Sequence, residues 1–225
     1  MRFFAFGAKI IVSDKKAGKN TGVELEFKLA VPNPMVLEQI LFDPQGGEIR
    51  QGGYRLIDMA TIYYDTPDKR LSARRWTLRL RQENENLVAT LKTPGPDRAR
   101  GEWECPAPSI QAAIPLLLEA GAPRELPEVL EDQPLVPTCA AQFTRRAVNI
   151  AFGDGTIGEL CGDVGTLMGG NREEDFCEIE VELKSGSEDT AEAFAGELMD
   201  RFNLTEEARS KFARASALAN HGGAV

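Results

Sequence analysis

The chain has 225 residues, 42% hydrophobic and 27% charged, a length over which one all-β or mixed domain closes a sizeable core. A formal net charge of −9 argues against nucleic acid or an anionic membrane surface as partner, so any anionic ligand must be held by a local cluster of cations. The four cysteines, Cys105, Cys139, Cys161 and Cys177, form no Cys-x-x-Cys pair, and no apolar run reaches the ~20 residues of a membrane span, which leaves a reduced, cytoplasmic setting as the expectation.

Residues 1–22 turn Lys- and Gly-rich after the first dozen positions and read as a loosely attached arm; Lys9 interrupts the apolar start, which is not that of a secretory leader. From Val23 the pattern alternates strictly, with Val23, Leu25, Phe27 and Leu29 on one face and Glu24, Glu26 and Lys28 on the other, the signature of a strand. Asn33-Pro34 suits the start of a short helix, Asn as N-cap and Pro in the first turn. Strands are expected over 54–66, 76–83, 87–93 and 100–106, with a helical turn at 68–75 and a helix over 110–120 that Pro115 kinks or starts. Pro123, Pro127, Pro134 and Pro137 mark a connector. Three further strands follow, at 138–152, 156–167 and 175–184, and two helices close the chain, the first with Phe194, Leu198 and Phe202 at four-residue spacing.

This succession predicts an α+β domain over 23–220, an eight-stranded antiparallel β-barrel with helices packed on the outside, and a tail at 221–225. If helices cover the apolar strand faces, the charged faces point inward. Those faces are sorted by sign: Glu24, Glu26 and Lys28; Arg79 and Arg81; Lys92; Glu102 and Glu104; Glu178, Glu180, Glu182 and Lys184.

Alternate strand residues lie about 7 Å apart, where two carboxylates repel by roughly 2 kcal/mol at an effective dielectric near 20. A buried acidic row therefore needs cations, which neighbouring strands and bound Mg²⁺ or Mn²⁺ would supply. A solvated sheet face explains any single row, but such a face would mix signs and carry more Thr, Ser and Gln. The only histidine, His221, lies in the tail, which excludes His-based acid–base catalysis and His-rich zinc sites.

The run Glu24-Leu25-Glu26-Phe27-Lys28 matches an ExExK signature. It continues through Tyr63-Tyr64-Asp65-Thr66-Pro67, Leu78-Arg79-Leu80-Arg81, Thr90-Leu91-Lys92-Thr93-Pro94, Gly101-Glu102-Trp103-Glu104, Phe143-Thr144-Arg145, Asp163, Cys177 to Leu183 and Ser210-Lys211. In this order, over 23 to about 218, the set resembles the CYTH group of triphosphate tunnel metalloenzymes. The arm before Val23 is longer than is usual there.

The resemblance implies an eight-stranded tunnel that grips a triphosphate. It implies metal ligands at Glu24, Glu26, Glu178 and Glu180, and phosphate contacts at Lys28, Arg79, Arg81, Lys92, Arg145 and Lys211. It places Glu26, Glu102, Glu178, Asp163 and Lys28 in the catalytic step. Whether Arg145 or Arg146 faces inward depends on strand register. The implied activity is Mg²⁺- or Mn²⁺-dependent hydrolysis of inorganic triphosphate to diphosphate and phosphate, by a monomer or homodimer. The alternatives are a class IV-type adenylate cyclase, a thiamine triphosphatase, or a module that binds polyphosphate or nucleotide without turnover.

Overall fold

The computed structural model describes residues 23–95 and 100–220, the side chains of Val23, Glu24 and Arg100 excepted. The expected arm at 1–22 and tail at 221–225 lie outside the described residues.

In chain order the elements are β1 (Val23–Ala30), α1 (Pro34–Leu41), β2 (Arg50–Asp65), α2 (Arg70–Ala73), β3 (Thr77–Glu83), β4 (Asn86–Pro94) and β5 (Arg100–Pro106). There follow α3 (Ile110–Glu119), α4 (Leu126–Leu130), β6 (Val136–Ala151), β7 (Ile157–Gly169), β8 (Arg172–Ser185), α5 (Glu188–Phe202), β9 (Thr205–Glu206) and α6 (Lys211–Asn220). Local chemistry accounts for the helix starts: Asn33 accepts from the Val36 N–H at 3.0 Å with Pro34 next to it, and Ser109 caps α3 by accepting from Ala112 at 3.2 Å. Pro115 is accommodated inside α3 rather than starting it. The proline-rich connector holds the short α4, which buries Leu126, Val129 and Leu130.

All strand pairings are antiparallel, in the order β5-β4-β3-β2-β6-β7-β8-β1-β9. β5 also pairs with β1, at Val23 opposite Gly101 and Glu24 opposite Arg100, so the two ends of the eight-strand run meet at a short seam. The ninth strand, which the sequence did not reveal, is two residues long and extends the β1 edge. The right-handed twist of such a run curls it around one face.

Apolar residues of the outer face pack in two clusters. Leu29, Ile179 and Val181 lie under α1 and α5, and Leu78, Leu80, Ala89 and Leu91 under α3 and α4. α6 behaves differently, for Ala215 and Phe212 pack against Tyr63, Phe143, Leu167 and Phe176, which share the inner face. α6 thus covers one mouth from the inside. No described helix is long and apolar enough to cross a membrane.

Candidate active site

Period-two alternation delivers the charged side chains to the enclosed face once the outer face is fixed by its apolar partners. Register then decides which charges meet. Lys28 of β1 lies opposite Glu180 of β8, Asp163 of β7 stands between Arg145 of β6 and Glu178 of β8, and Lys92 of β4 faces Glu102 of β5. Arg145 is the inward arginine. Arg146 turns to the outside, where it pairs with Glu38 of α1.

An acidic pole forms where β7 and β8 adjoin. Asp163 and Glu178 are fully buried and Glu180 is 7% exposed, with carboxylate oxygens within 4.8 Å of one another. Three cations surround the group. Arg145 donates to Asp163 at 2.8 and 2.7 Å and also pairs with Glu180. The Lys211 ammonium lies 2.7 Å from Asp163 and 2.9 Å from Glu180, and pairs with Glu178 as well. Arg214 donates to Glu178 at 2.9 Å and to Glu174 at 3.0 Å.

Burial raises the Glu178 carboxyl, and the neighbouring Glu180 charge adds to this against the pull of Lys211. Glu180 goes the other way. Burial opposes its ionisation, but Lys211 and Arg145 together hold it well below the carboxylate range. For Lys211, burial opposes the charge and the three carboxylates outweigh it, raising the ammonium well above its usual value.

A basic wall runs along β3 and β4. Arg79 lies 3.8 Å from Glu102 and 3.7 Å from Glu104, and Arg81 lies 3.8 Å from Glu104 with a closer pair to Glu83. Lys92 pairs with Glu102 at 3.2 Å. Separations near 3.8 Å are beyond hydrogen-bond length. The buried Nε of Arg81 has no hydrogen-bond partner among the described residues. Burial, then the like charge of Arg79, depresses Arg81, an arrangement that an anion would relieve.

All six expected phosphate-binding cations, Lys28, Arg79, Arg81, Lys92, Arg145 and Lys211, line one chamber of about 90 Å³, together with Glu26, Glu180 and Glu182. The chamber opens beneath α6 into a mouth of about 800 Å³ that shares Glu26, Lys28 and Lys92 and adds Ser72, Arg75 and Asn220. Trp76 and Trp103 belong to the outer cluster under α3 and α4 and line neither space.

The four expected metal ligands divide. Glu178 and Glu180 join Asp163, which the sequence placed in the catalytic step, whereas Glu26 is outside that compact group and holds Lys28 at 3.5 Å. The reason is register, since Glu26 lies opposite Glu182, one alternation further along β8 than Glu180. The side chain of Glu24 lies outside the described residues. Three carboxylates as the donor set fit a hard divalent ion such as Mg²⁺ or Mn²⁺.

Sequence reasoning missed Arg214 and gave Tyr63 no role. Arg214 was legible as the residue one helical turn after Lys211 on the same face. Tyr63 lies opposite Arg79 across β2 and β3, a pairing that only the strand register reveals.

Comparison with known proteins agrees with the fold. The CYTH domain model matches residues 14–216. An inorganic triphosphatase of Haemophilus influenzae is 30% identical over 168 residues, 73% of this chain and 46% of that protein, so the chain spans about half the length of this curated relative. A candidate adenylyl cyclase from Hippeastrum, described as having a dominant triphosphatase activity, superposes with TM-score 0.54 at 18% identity over 90% of this chain and 97% of its own. A candidate adenylate cyclase from Bacillus halodurans gives 0.52 at 24% identity over 84% and 94%. At these identities the structural likeness is one of fold.

Proposed function

The chain belongs to the CYTH domain family, and from that premise we propose that it is a cytoplasmic enzyme hydrolysing inorganic triphosphate to diphosphate and phosphate within the chamber, with Mg²⁺ or Mn²⁺ as cofactor. The observation that carries this reading is the chamber itself, where six cations outnumber the three carboxylates that line the same space. The 30% identity to an inorganic triphosphatase supports the same substrate.

Phosphoryl transfer asks a protein for alignment and charge neutralisation more than covalent chemistry. Arg79, Arg81, Lys92 and Lys28 bind the non-reacting phosphates, and the Arg81 Nε donates to a phosphate oxygen. A divalent ion held by Asp163, Glu178 and Glu180 would supply Lewis-acid neutralisation at the terminal phosphoryl group. Arg145 fixes Asp163 from the neighbouring strand and orients that carboxylate with two hydrogen bonds. Glu26, held only by the 3.5 Å contact to Lys28 among its resolved ion pairs, is placed between chamber and mouth, where it orients the attacking water.

Phosphate release from inorganic triphosphate, ATP and thiamine triphosphate, followed by malachite green with and without Mg²⁺, tests the reading. Metal-dependent release that is fastest from inorganic triphosphate is expected. Release indifferent to divalent ions, or none from any of the three, removes it. Turnover of thiamine triphosphate or ATP ahead of inorganic triphosphate would transfer the assignment to an organic substrate seated in the 800 Å³ mouth.

A further inference from the structure

The acidic pole is already neutral. Asp163, Glu178 and Glu180 are matched by Arg145, Lys211 and Arg214, each cation within hydrogen-bonding reach of at least one of the carboxylates. Adding a divalent ion would bring two more positive charges to carboxylates that already have cation partners, which is unfavourable in a low-dielectric interior. One of the three resident cations must give way.

The three are not equivalent. Arg145 forms a fork on Asp163 from the adjacent strand, and Arg214 bridges Glu178 to Glu174, so both are anchored by directional bonds. Lys211 is a point charge on a flexible stem, and it alone touches all three carboxylates. Its three N–H donors reach the three acidic groups as a small cation would. It is also the first residue of α6, where a positive side chain faces the positive end of the helix dipole. Local helix energetics disfavour it there, and the carboxylates hold it. The same side chain lines the chamber alongside Arg79, Arg81 and Lys92, so leaving the acidic pole places it among the phosphate-binding cations.

Building on the metal-dependent reading above, we infer that the Lys211 ammonium occupies the cation position of the Asp163–Glu178–Glu180 group, that Lys211 and a divalent ion exclude one another there, and that the displaced lysine passes to the polyphosphate. α6 is thereby a cationic plug whose first residue links metal loading to substrate binding. The carboxylates are spaced around an ammonium, with contacts of 2.7 Å to Asp163 and 2.9 Å to Glu180 and a closer one to Glu178.

The test measures metal binding without turnover. Mn²⁺ binding to the metal-free protein is followed by the loss of the free-ion EPR signal, in the unaltered chain, Lys211→Met and Glu180→Gln. Lys211→Met is expected to bind Mn²⁺ about tenfold or more tightly than the unaltered chain, the scale on which groups around a metal set its affinity, and Glu180→Gln to bind it more weakly. Lys211→Met is also expected to lose affinity for tripolyphosphate by calorimetry. Equal or weaker Mn²⁺ binding by Lys211→Met, with binding by the unaltered chain intact, overturns the exclusion and leaves the metal reading standing. No Mn²⁺ binding by any form removes both. Should Lys211→Met fail to fold, amine labelling of the unaltered chain decides: Lys211 becomes reactive on saturation with Mg²⁺, and continued protection rejects the proposal.

Discussion

Arg145 meets Asp163 fork to fork, Nε to Oδ1 at 2.8 Å and Nη2 to Oδ2 at 2.7 Å, and the carboxylate is wholly buried. The two residues are direct partners across β6 and β7, so the pairing is set by the strand register that also places Glu178 beside Asp163. This fork fastens the acidic pole to the barrel wall.

Removing one member of a buried ion pair leaves the other charge without compensation, which costs about 3–5 kcal/mol. Asp163→Asn is therefore expected to lower the melting temperature by roughly 10 °C in a domain of this size. Calorimetric melts of the two proteins check this. A melting temperature unchanged by the substitution would show that the pole has no part in holding β6 and β7 together.

Glu104 gives a pH dependence of definite sign. Burial alone would raise its carboxyl, but Arg79 and Arg81, with the 2.9 Å hydrogen bond from Thr90, hold it below its ordinary value of 4.5. A depressed folded pKa contributes stability that is present above the unfolded value of about 4.5 and is lost as pH falls through the folded one. Melting temperatures of the native chain and Glu104→Gln are accordingly expected to differ most near neutrality and to converge as pH falls below 4.5 and through the depressed folded value. A gap that stays constant across this range would mean that the loss is one of packing, not charge.

α6 fits against β7 without room for another carbon. A Cβ built on Gly169 would come 2.1 Å from the Ala215 carbonyl oxygen and 2.7 Å from the Ala219 nitrogen, both backbone atoms that a rotamer change cannot move. Gly169→Ala is expected to lift α6 from the mouth. Trypsin would then cut after Lys211 and Arg214, which are shielded in the native chain, at least about tenfold faster, since cleavage follows the open population. Mass spectrometry of a timed digest reads this directly, and an unaltered cleavage rate would show that α6 is seated by other contacts.

Much of this was legible before any coordinates. Alternation in 23–29, with charges on one face and apolar residues on the other, gave both the strand and the inward direction of Lys28. Signs segregated by strand pointed to an enclosed site with Lys28, Arg79, Arg81 and Lys92 facing it, whereas Arg145 and Lys211 came from the resemblance to the CYTH group; all six line the chamber. Register was not legible. A period of two says which face a residue occupies but not which residue stands opposite, so the grouping of Glu178 and Glu180 with Asp163 in place of Glu26 could not be read. A second closing helix was expected, but where α6 sits was hidden for a related reason. Only the inner side of the barrel explains why such small residues are needed along its face.

Arg81 separates binding from stability. Its guanidinium is buried beside the like charge of Arg79, its pairing to Glu104 is loose at 3.8 Å, and its Nε lacks a partner among the described residues. Burial and that repulsion lower its pKa, so the folded chain holds the charge at a cost. A polyphosphate oxygen removes the cost by accepting from Nε, which makes the burial of this charge a source of affinity. Arg81→Gln should then leave the melting temperature unchanged or raise it while lowering kcat/KM for triphosphate by about 10²–10³. A ligand that binds only the folded state raises stability by RT ln(1 + [L]/Kd), so tripolyphosphate is expected to raise the melting temperature of the native chain and to do so far less for Arg81→Gln. The decisive measurement is that difference in ligand-induced shift. If both proteins respond alike, Arg81 does not touch the phosphates, and its buried Nε would need another explanation.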